Sequence, residues 1–467
     1  MDSLKVHQNS YKNSKSWTDD LPVCKNSGMG YSINQIYRED GHPQEEHCYE
    51  DFSSHYKFAE DFYWYSVFDG HEGKRATDFC SQRMTAEICF SQINQKDSDE
   101  EVRELLRQAF MTVELGYMES LDDLIAERTS LHYDIPEGLA PHEAYQKVPH
   151  IMDRIKALNA ELSSGTAAAV ALICKNKLYV ANVGNCRVLL CQTDTNNVLK
   201  VVQLSIDHDL KNEDELLRLS QIGLNVNQLR KSSRLGNQEN TRCLGNYAIK
   251  GGYKDFEDLA GASQEPVIAE PDIHGGIYLD ESCRFLLLMT AGLYKSVEEA
   301  IGPEQVNQYI AQCVVEQFRE QGTLVTVAQA VVDKVVRLHH DWYMSNSINQ
   351  SCPPKREDIT LVLRNFNFPM PNALKSPTKP TVQFNPIVVA AELSSSNNSS
   401  SHGTIVNNVD TNSTVSRTNT TSSSEAKAEI DDDIGTDQKI AAYVDFGDFY
   451  ANFEIARRNG TLPSGLE

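Results

Sequence analysis

Between Ser394 and Ser424, 23 of 31 residues are Ser, Thr or Asn. A segment so poor in apolar side chains buries too little surface to repay the entropy of ordering its backbone. It therefore divides the 467-residue chain and confines any large hydrophobic core to the residues before it. The stretch leading into it is punctuated by Pro369, Pro371, Pro377, Pro380 and Pro386, and reads as an extended linker leaving that core. The expected organisation is a flexible N-terminus over 1–16, a folded body over 17–368, a disordered linker over 369–439 and a terminal segment over 440–457.

Lys and Arg number 43 against 66 Asp and Glu, a formal charge of −23, of which −18 falls on residues 1–370. A field of that sign repels phosphate backbones and anionic headgroups, so nucleic acid and membrane surfaces are poor partners. No apolar run approaches the roughly 20 residues that a membrane span requires. Met1 to Ser16 lacks the apolar stretch of a secretory signal, and the eleven Cys, odd in number and without a C-x-x-C pair, suit a reducing compartment. A cytoplasmic protein is expected.

Within the body, strand and helix signals alternate. Phe62 to Phe68 is a β-rich run ended by Asp69-Gly70. Ala167 to Cys174 and Leu178 to Val183 are separated only by Lys175-Asn176-Lys177, which predicts an antiparallel hairpin, with Arg187 to Cys191 continuing the meander. Val102, Leu105, Leu106, Ala109, Phe110, Val113, Tyr117, Leu121 and Leu124 share one helical face, and similar spacing marks Leu216 to Leu224 and Val325 to Leu338. An α+β body with antiparallel sheet follows. Beyond the linker, Phe446, Phe449, Tyr450 and Phe453 stand at i, i+3, i+4 and i+7, one face of a short helix that Tyr443 and Val444 lead into. Such a helix is too short to be stable alone. It folds back on the body or docks in another protein's groove, and the tether favours docking.

The turn Asp69-Gly70-His71 presents a carboxylate, a backbone carbonyl and an imidazole together. Oxygen donors of this kind suit Mg²⁺ or Mn²⁺, and an adjacent His suits general acid work. Taken alone the turn is weak evidence, since Asp-Gly is a common turn sequence.

Further segments fall in a telling order: Glu39-Asp40, Val67-Phe68-Asp69-Gly70-His71, Ser164-Gly165-Thr166-Ala167, Gly184-Asn185-Cys186-Arg187, Thr241-Arg242-Cys243-Leu244-Gly245-Asn246 and Glu357-Asp358-Ile359-Thr360. Together they resemble the metal-dependent type 2C Ser/Thr protein phosphatases. The resemblance implies a four-layer α/β/β/α sandwich of two antiparallel sheets flanked by helices, with a two-metal site at one end. On it, Glu39, Asp40, Asp69, Gly70 and Glu357 match metal-site positions, and His71 matches the general acid. Other positions depart from the pattern. Ala291 falls where the resemblance demands a metal-binding Asp, Lys295 replaces a second Asp, Gln35 takes the place of the phosphate-binding Arg, and Asn185 and Asn246 replace Asp. Ala cannot coordinate a cation, and a neutral amide cannot replace a guanidinium fork. The expectation is a pseudophosphatase with no catalytic residues, whose remnant oxygens bind Mg²⁺ or Mn²⁺ weakly at best. The alternative is an active Mg/Mn-dependent phosphatase with a divergent site.

Ser16-Trp17-Thr18-Asp19-Asp20-Leu21-Pro22, Asn212 to Gln221 and the tail Tyr443 to Tyr450 resemble the TGF-beta-activated kinase binding protein 1 family. That resemblance implies an adaptor whose C-terminal helix, through Tyr443, Val444, Phe446, Phe449, Tyr450 and Phe453, docks on the catalytic domain of a TGF-beta-activated MAP3 kinase and promotes its autophosphorylation. It also implies contact with a stress-activated MAP kinase through the linker. Phe384 to Val389 is the apolar island there.

Overall fold

The computed structural model describes residues 17–371, apart from 39–41, 43, 92, 94, 95, 97, 137, 197, 233 and 347–354. Glu39, Asp40, the linker island at Phe384 to Val389 and the tail residues Tyr443, Val444, Phe446, Phe449, Tyr450 and Phe453 lie outside the described residues. The strands are β1 (Ser27–Ser32), β2 (Gln35–Ile36), β3 (Phe52–Ala59), β4 (Phe62–His71), β5 (Gly165–Cys174), β6 (Lys177–Val183), β7 (Arg187–Thr193), β8 (Leu199–Gln203), β9 (Leu244–Gly245), β10 (Asp272–Tyr278), β11 (Cys283–Met289), β12 (Lys355–Arg356) and β13 (Ile359–Asn365). The helices are α1 (Arg75–Cys89), α2 (Asp99–Glu119), α3 (Asp122–Tyr133), α4 (Pro141–Lys147), α5 (Pro149–Ser163), α6 (Glu213–Gln221), α7 (Val226–Ser232), α8 (Ala291–Ile301), α9 (Val306–Glu320) and α10 (Leu324–Asn346).

Two antiparallel sheets result, ordered β10-β6-β5-β4-β3 and β1-β13-β11-β7-β8. Side-chain alternation along each strand sorts residues into three apolar layers. Trp64 and Phe68 of β4 and Ala168, Val170 and Leu172 of β5 face α1 and α2, where they meet Met84, Ile88, Leu106 and Phe110. Their neighbours Tyr65, Val67, Ala169 and Ala171 face the other sheet and pack with Val188, Leu286, Leu288 and Val362. Phe285, Leu287, Leu361 and Leu363 point outward onto α8, α9 and α10. The expected α/β/β/α sandwich is therefore the observed one. Each large apolar side chain taken fully from water, such as Phe68 or Phe110, contributes about 1.5–3 kcal/mol.

The β5–β6 hairpin forms as expected, with Lys175 and Asn176 both at positive φ (49° and 61°), the two-residue geometry that matches strand twist. Helix α2 starts in a capping box, the Ser98 hydroxyl accepting from Glu101 N and the Glu101 carboxylate from Ser98 N. One expectation fails: Arg187 to Cys191 does not extend the meander but forms β7 in the second sheet, between β11 and β8. The chain leaves the first sheet at Gly184, whose φ of 81° lies in the left-handed region and where a Cβ would stand 2.5 Å from that of Ala167.

Candidate functional site

The end of β4 meets the start of β5, with Asp69 opposite Ala167 and His71 opposite Gly165. The same end of the sandwich carries the β11–α8 junction and the start of β13. These segments wall a cleft of about 620 Å³ lined by Glu50, Asp69, Gly70, His71, Asn185, Ala291, Lys295 and Glu357, among others. A neighbouring cleft shares Asn185, Glu239 and Lys295 with it, so Lys295 stands on the ridge between the two.

Asp69, Gly70, Glu357, Asn185, Ala291 and Lys295 converge on the cleft, and Asn246 reaches it by donating from Nδ2 to His71 Nε2 at 3.3 Å. Gln35 does not converge. It pairs with Arg356 on the short β2–β12 ribbon, and the loop that follows brings Glu46 and His47 to the cleft instead. The fold delivers an acidic pair, Glu50-Asp51, directly before β3 and beside Asp69. Glu50 Oε1 accepts from Gly73 N at 3.0 Å. Asp51 Oδ2 accepts from the hydroxyls of Thr290 (2.8 Å) and Thr360 (2.7 Å), tying β3, β11 and β13 together. Asp358 is buried as a brace, accepting from Asn34 N at 2.7 Å and Glu50 N at 2.9 Å. Sequence reasoning also missed the buried Glu114–Lys250 pair behind His71. The signal for Glu50-Asp51 was its place against the alternating run Phe52, Ser54, Tyr56 and Phe58.

At the centre, Ala291 N donates to Asp69 Oδ2 at 2.7 Å. The first residue of α8 thus offers a backbone N–H, at the positive end of the helix dipole, where its side chain is only a methyl. Burial, and then the Glu357 carboxylate, raise the Asp69 carboxyl well above the usual carboxylate range. Lys295 Nζ lies 3.1 Å from Glu239 and 3.5 Å from Glu357. Burial alone would lower its pKa, but the carboxylates of Glu357, Glu239 and Asp69 more than reverse this and hold it charged. Burial pushes His71 down to about 4, with Lys250 adding to the effect and a hydrogen bond to Gln238 opposing it. At neutral pH the imidazole lacks the extra proton that a general acid would deliver.

These residues do not fit a two-metal centre. An oxygen of Asp69 is taken by an N–H, Ala291 offers no donor, and an ammonium stands among the carboxylates. Among the described residues, no group of three or more His, Cys, Asp or Glu is placed to hold a metal ion. The cleft wall also carries seven carboxylates (Glu46, Glu50, Asp69, Glu72, Glu239, Glu357 and Asp358) against the cations Arg234, Lys295 and Lys355. Lys355 is already committed to both oxygens of Glu46, each at 2.8 Å. A phosphate dianion entering here meets a wall of its own sign.

The model of the family "Protein phosphatase 2C" matches residues 36–337. A Paramecium tetraurelia relative named "Probable protein phosphatase 2C 4" is 28% identical over 273 residues, 58% of this chain and 75% of that protein. "TGF-beta-activated kinase 1 and MAP3K7-binding protein 1" of Caenorhabditis elegans is 27% identical over 210 residues, 44% of this chain and 50% of that protein. The solved structure of a serine-threonine phosphatase 2C from Toxoplasma gondii overlays 74% of this chain and 97% of its own, at a TM-score of 0.48 and 16% identity. Among the described residues, no helix is long and apolar enough to cross a membrane. With a family match spanning more than half of its length, the chain belongs to the protein phosphatase 2C family.

Proposed function

We propose that the chain is a non-catalytic adaptor: a phosphatase 2C body that has kept the fold and lost the chemistry, joined by a tether to a docking helix. The observation that carries the first half is the replacement at Ala291, whose backbone N–H, not a carboxylate, faces Asp69. Loss of charge at Asn185 and Asn246 and the neutral state of His71 support the same reading. Changes to the groups that orient metal ligands cost about 10- to 100-fold, and the loss of a ligand outright costs more.

For the second half, the aromatic face Tyr443, Val444, Phe446, Phe449, Tyr450 and Phe453 is the anchor. Its partner in this proposal is the catalytic domain of a TGF-beta-activated MAP3 kinase, whose autophosphorylation the adaptor promotes. The partial match to the worm kinase-binding protein supports this. Aromatic anchors in a groove are the usual energetic centre of such an interface. The linker island Phe384 to Val389 is assigned to a stress-activated MAP kinase, and the complex to the cytoplasm.

The test is a pull-down with residues 440–457. They capture the kinase domain, and Phe449→Ala abolishes capture; capture that survives the substitution refutes the docking assignment. A second reading, an active Mg/Mn-dependent phosphatase, is favoured by two observations. The Asp-Gly-His turn is intact, and Asp51 Oδ1 is buried with no hydrogen-bond partner among the described residues.

A further inference from the structure

A cleft that gathers this many carboxylates at one end of a sandwich needs positive charge to hold it together. Lys295 stands one turn after Ala291 on α8, so the two share a helix face. From there its ammonium reaches Glu239 at 3.1 Å and Glu357 at 3.5 Å. These two carboxylates belong to segments far apart in sequence, one before β9 and the other before β13. The Lys295 side chain is 28% exposed, whereas Glu239 and Glu357 are 51% and 55% exposed, so the cation sits deeper than the anions it pairs with. Next to it, the N-terminus of α8 supplies the other favourable partner of Asp69 through Ala291 N.

We propose that Lys295 is the resident counter-cation of the cleft. Its tethered ammonium, together with the α8 N-terminus, neutralises the carboxylates that divalent ions would otherwise neutralise, so the body keeps its fold with no metal bound. This rests on the non-catalytic reading above and adds to it a structural consequence: the same helix that lost a ligand at Ala291 carries the replacement charge one turn later. A flexible ammonium cannot bind and polarise a water between two ions as a metal pair does. The substitution therefore keeps the electrostatic balance of the site and discards its chemistry.

The experiment is thermal unfolding of the full chain in excess EDTA, Mg²⁺ or Mn²⁺. The wild-type midpoint stays the same in all three. Lys295→Met leaves Glu239 and Glu357 without their cation, lowers the midpoint in EDTA by about 2–4 °C, and recovers when Mn²⁺ or Mg²⁺ is added. Lys295→Arg keeps the wild-type midpoint. If Lys295→Met does not fold, the double variant Lys295→Met with Glu357→Gln, which removes charge of both signs from one ion pair, restores folding in EDTA. A Lys295→Met midpoint equal to wild type in EDTA overturns the proposal, as does a wild-type midpoint that rises with Mn²⁺ or a double variant no better than the single. Hydrolysis of a phosphopeptide by the wild-type chain would instead sink the non-catalytic reading, so the two failures are told apart.

Discussion

The Glu114–Lys250 pair behind His71 gives a sharp energetic prediction. Lys250 is buried and Glu114 largely so, their side chains 4% and 12% exposed. Lys250 Nζ also donates to Cys243 O at 2.8 Å, and Glu114 Oε2 accepts from Gly245 N at 2.8 Å. The pair thus pins, from both sides, the β9 segment that carries Asn246 toward His71. Glu114→Ala leaves a buried ammonium with one carbonyl partner and a backbone N–H with none. Removing one partner of a buried ion pair costs about 3–5 kcal/mol, within which the orphaned Gly245 N–H accounts for about 1–3 kcal/mol. Adding Lys250→Met to the same chain removes the unpaired charge and fills its volume but leaves the Gly245 N–H without its acceptor, so the double variant should still lose about 1–3 kcal/mol relative to wild type, less than the single one. Equilibrium urea unfolding of the full chain followed by circular dichroism reads this out as midpoint shifts at constant slope. A loss under about 1 kcal/mol for Glu114→Ala, or a double variant as unstable as the single one, would refute the reasoning that places a charged pair there.

His71 predicts a pH dependence with a definite sign. Its folded pKa, about 4, lies below the ordinary 6.5, so between those values the unfolded chain binds the extra proton and the folded chain does not. This group's contribution costs stability as the pH falls from 6.5 toward 4 and levels off below that, by about 3 kcal/mol at most. His71→Asn should flatten that part of the stability-pH profile, and an unchanged slope would show that His71 titrates normally. Gly292→Ala tests the α8 junction directly: a Cβ there would lie 1.9 Å from Asp358 O. The helix must shift off β13 to admit it, with a loss of about 3 kcal/mol or more; a wild-type midpoint in urea would contradict the packing described.

The sandwich was legible where period and turn chemistry agreed. β4 and β5 announce themselves as long β-rich runs, and Lys175-Asn176 between β5 and β6 leaves room only for a hairpin. The sheet assignment of β7 was not legible. Val188 to Cys191 is apolar on both faces because it is buried on both, and such a run does not say which sheet it joins. At the site, Asp69-Gly70-His71 and the Ala291 replacement are contiguous signals on strand ends, and the structure brings them together. Glu50-Asp51 was hidden because its role is set by Thr290 and Thr360, residues more than two hundred positions away. The position of Gln35 away from the cleft has the same origin: the ribbon pairing it with Arg356 is a long-range contact that local spacing cannot report. Glu114 and Lys250 each read as ordinary helix and loop charges until the fold buries them against one another.

The most direct test of the central claim is hydrolysis of a phosphoserine or phosphothreonine peptide by the purified full chain with Mn²⁺ in excess. No turnover above a buffer blank is expected, and none is gained by raising Mn²⁺. Mn²⁺-dependent turnover that Asp69→Asn abolishes would contradict the claim.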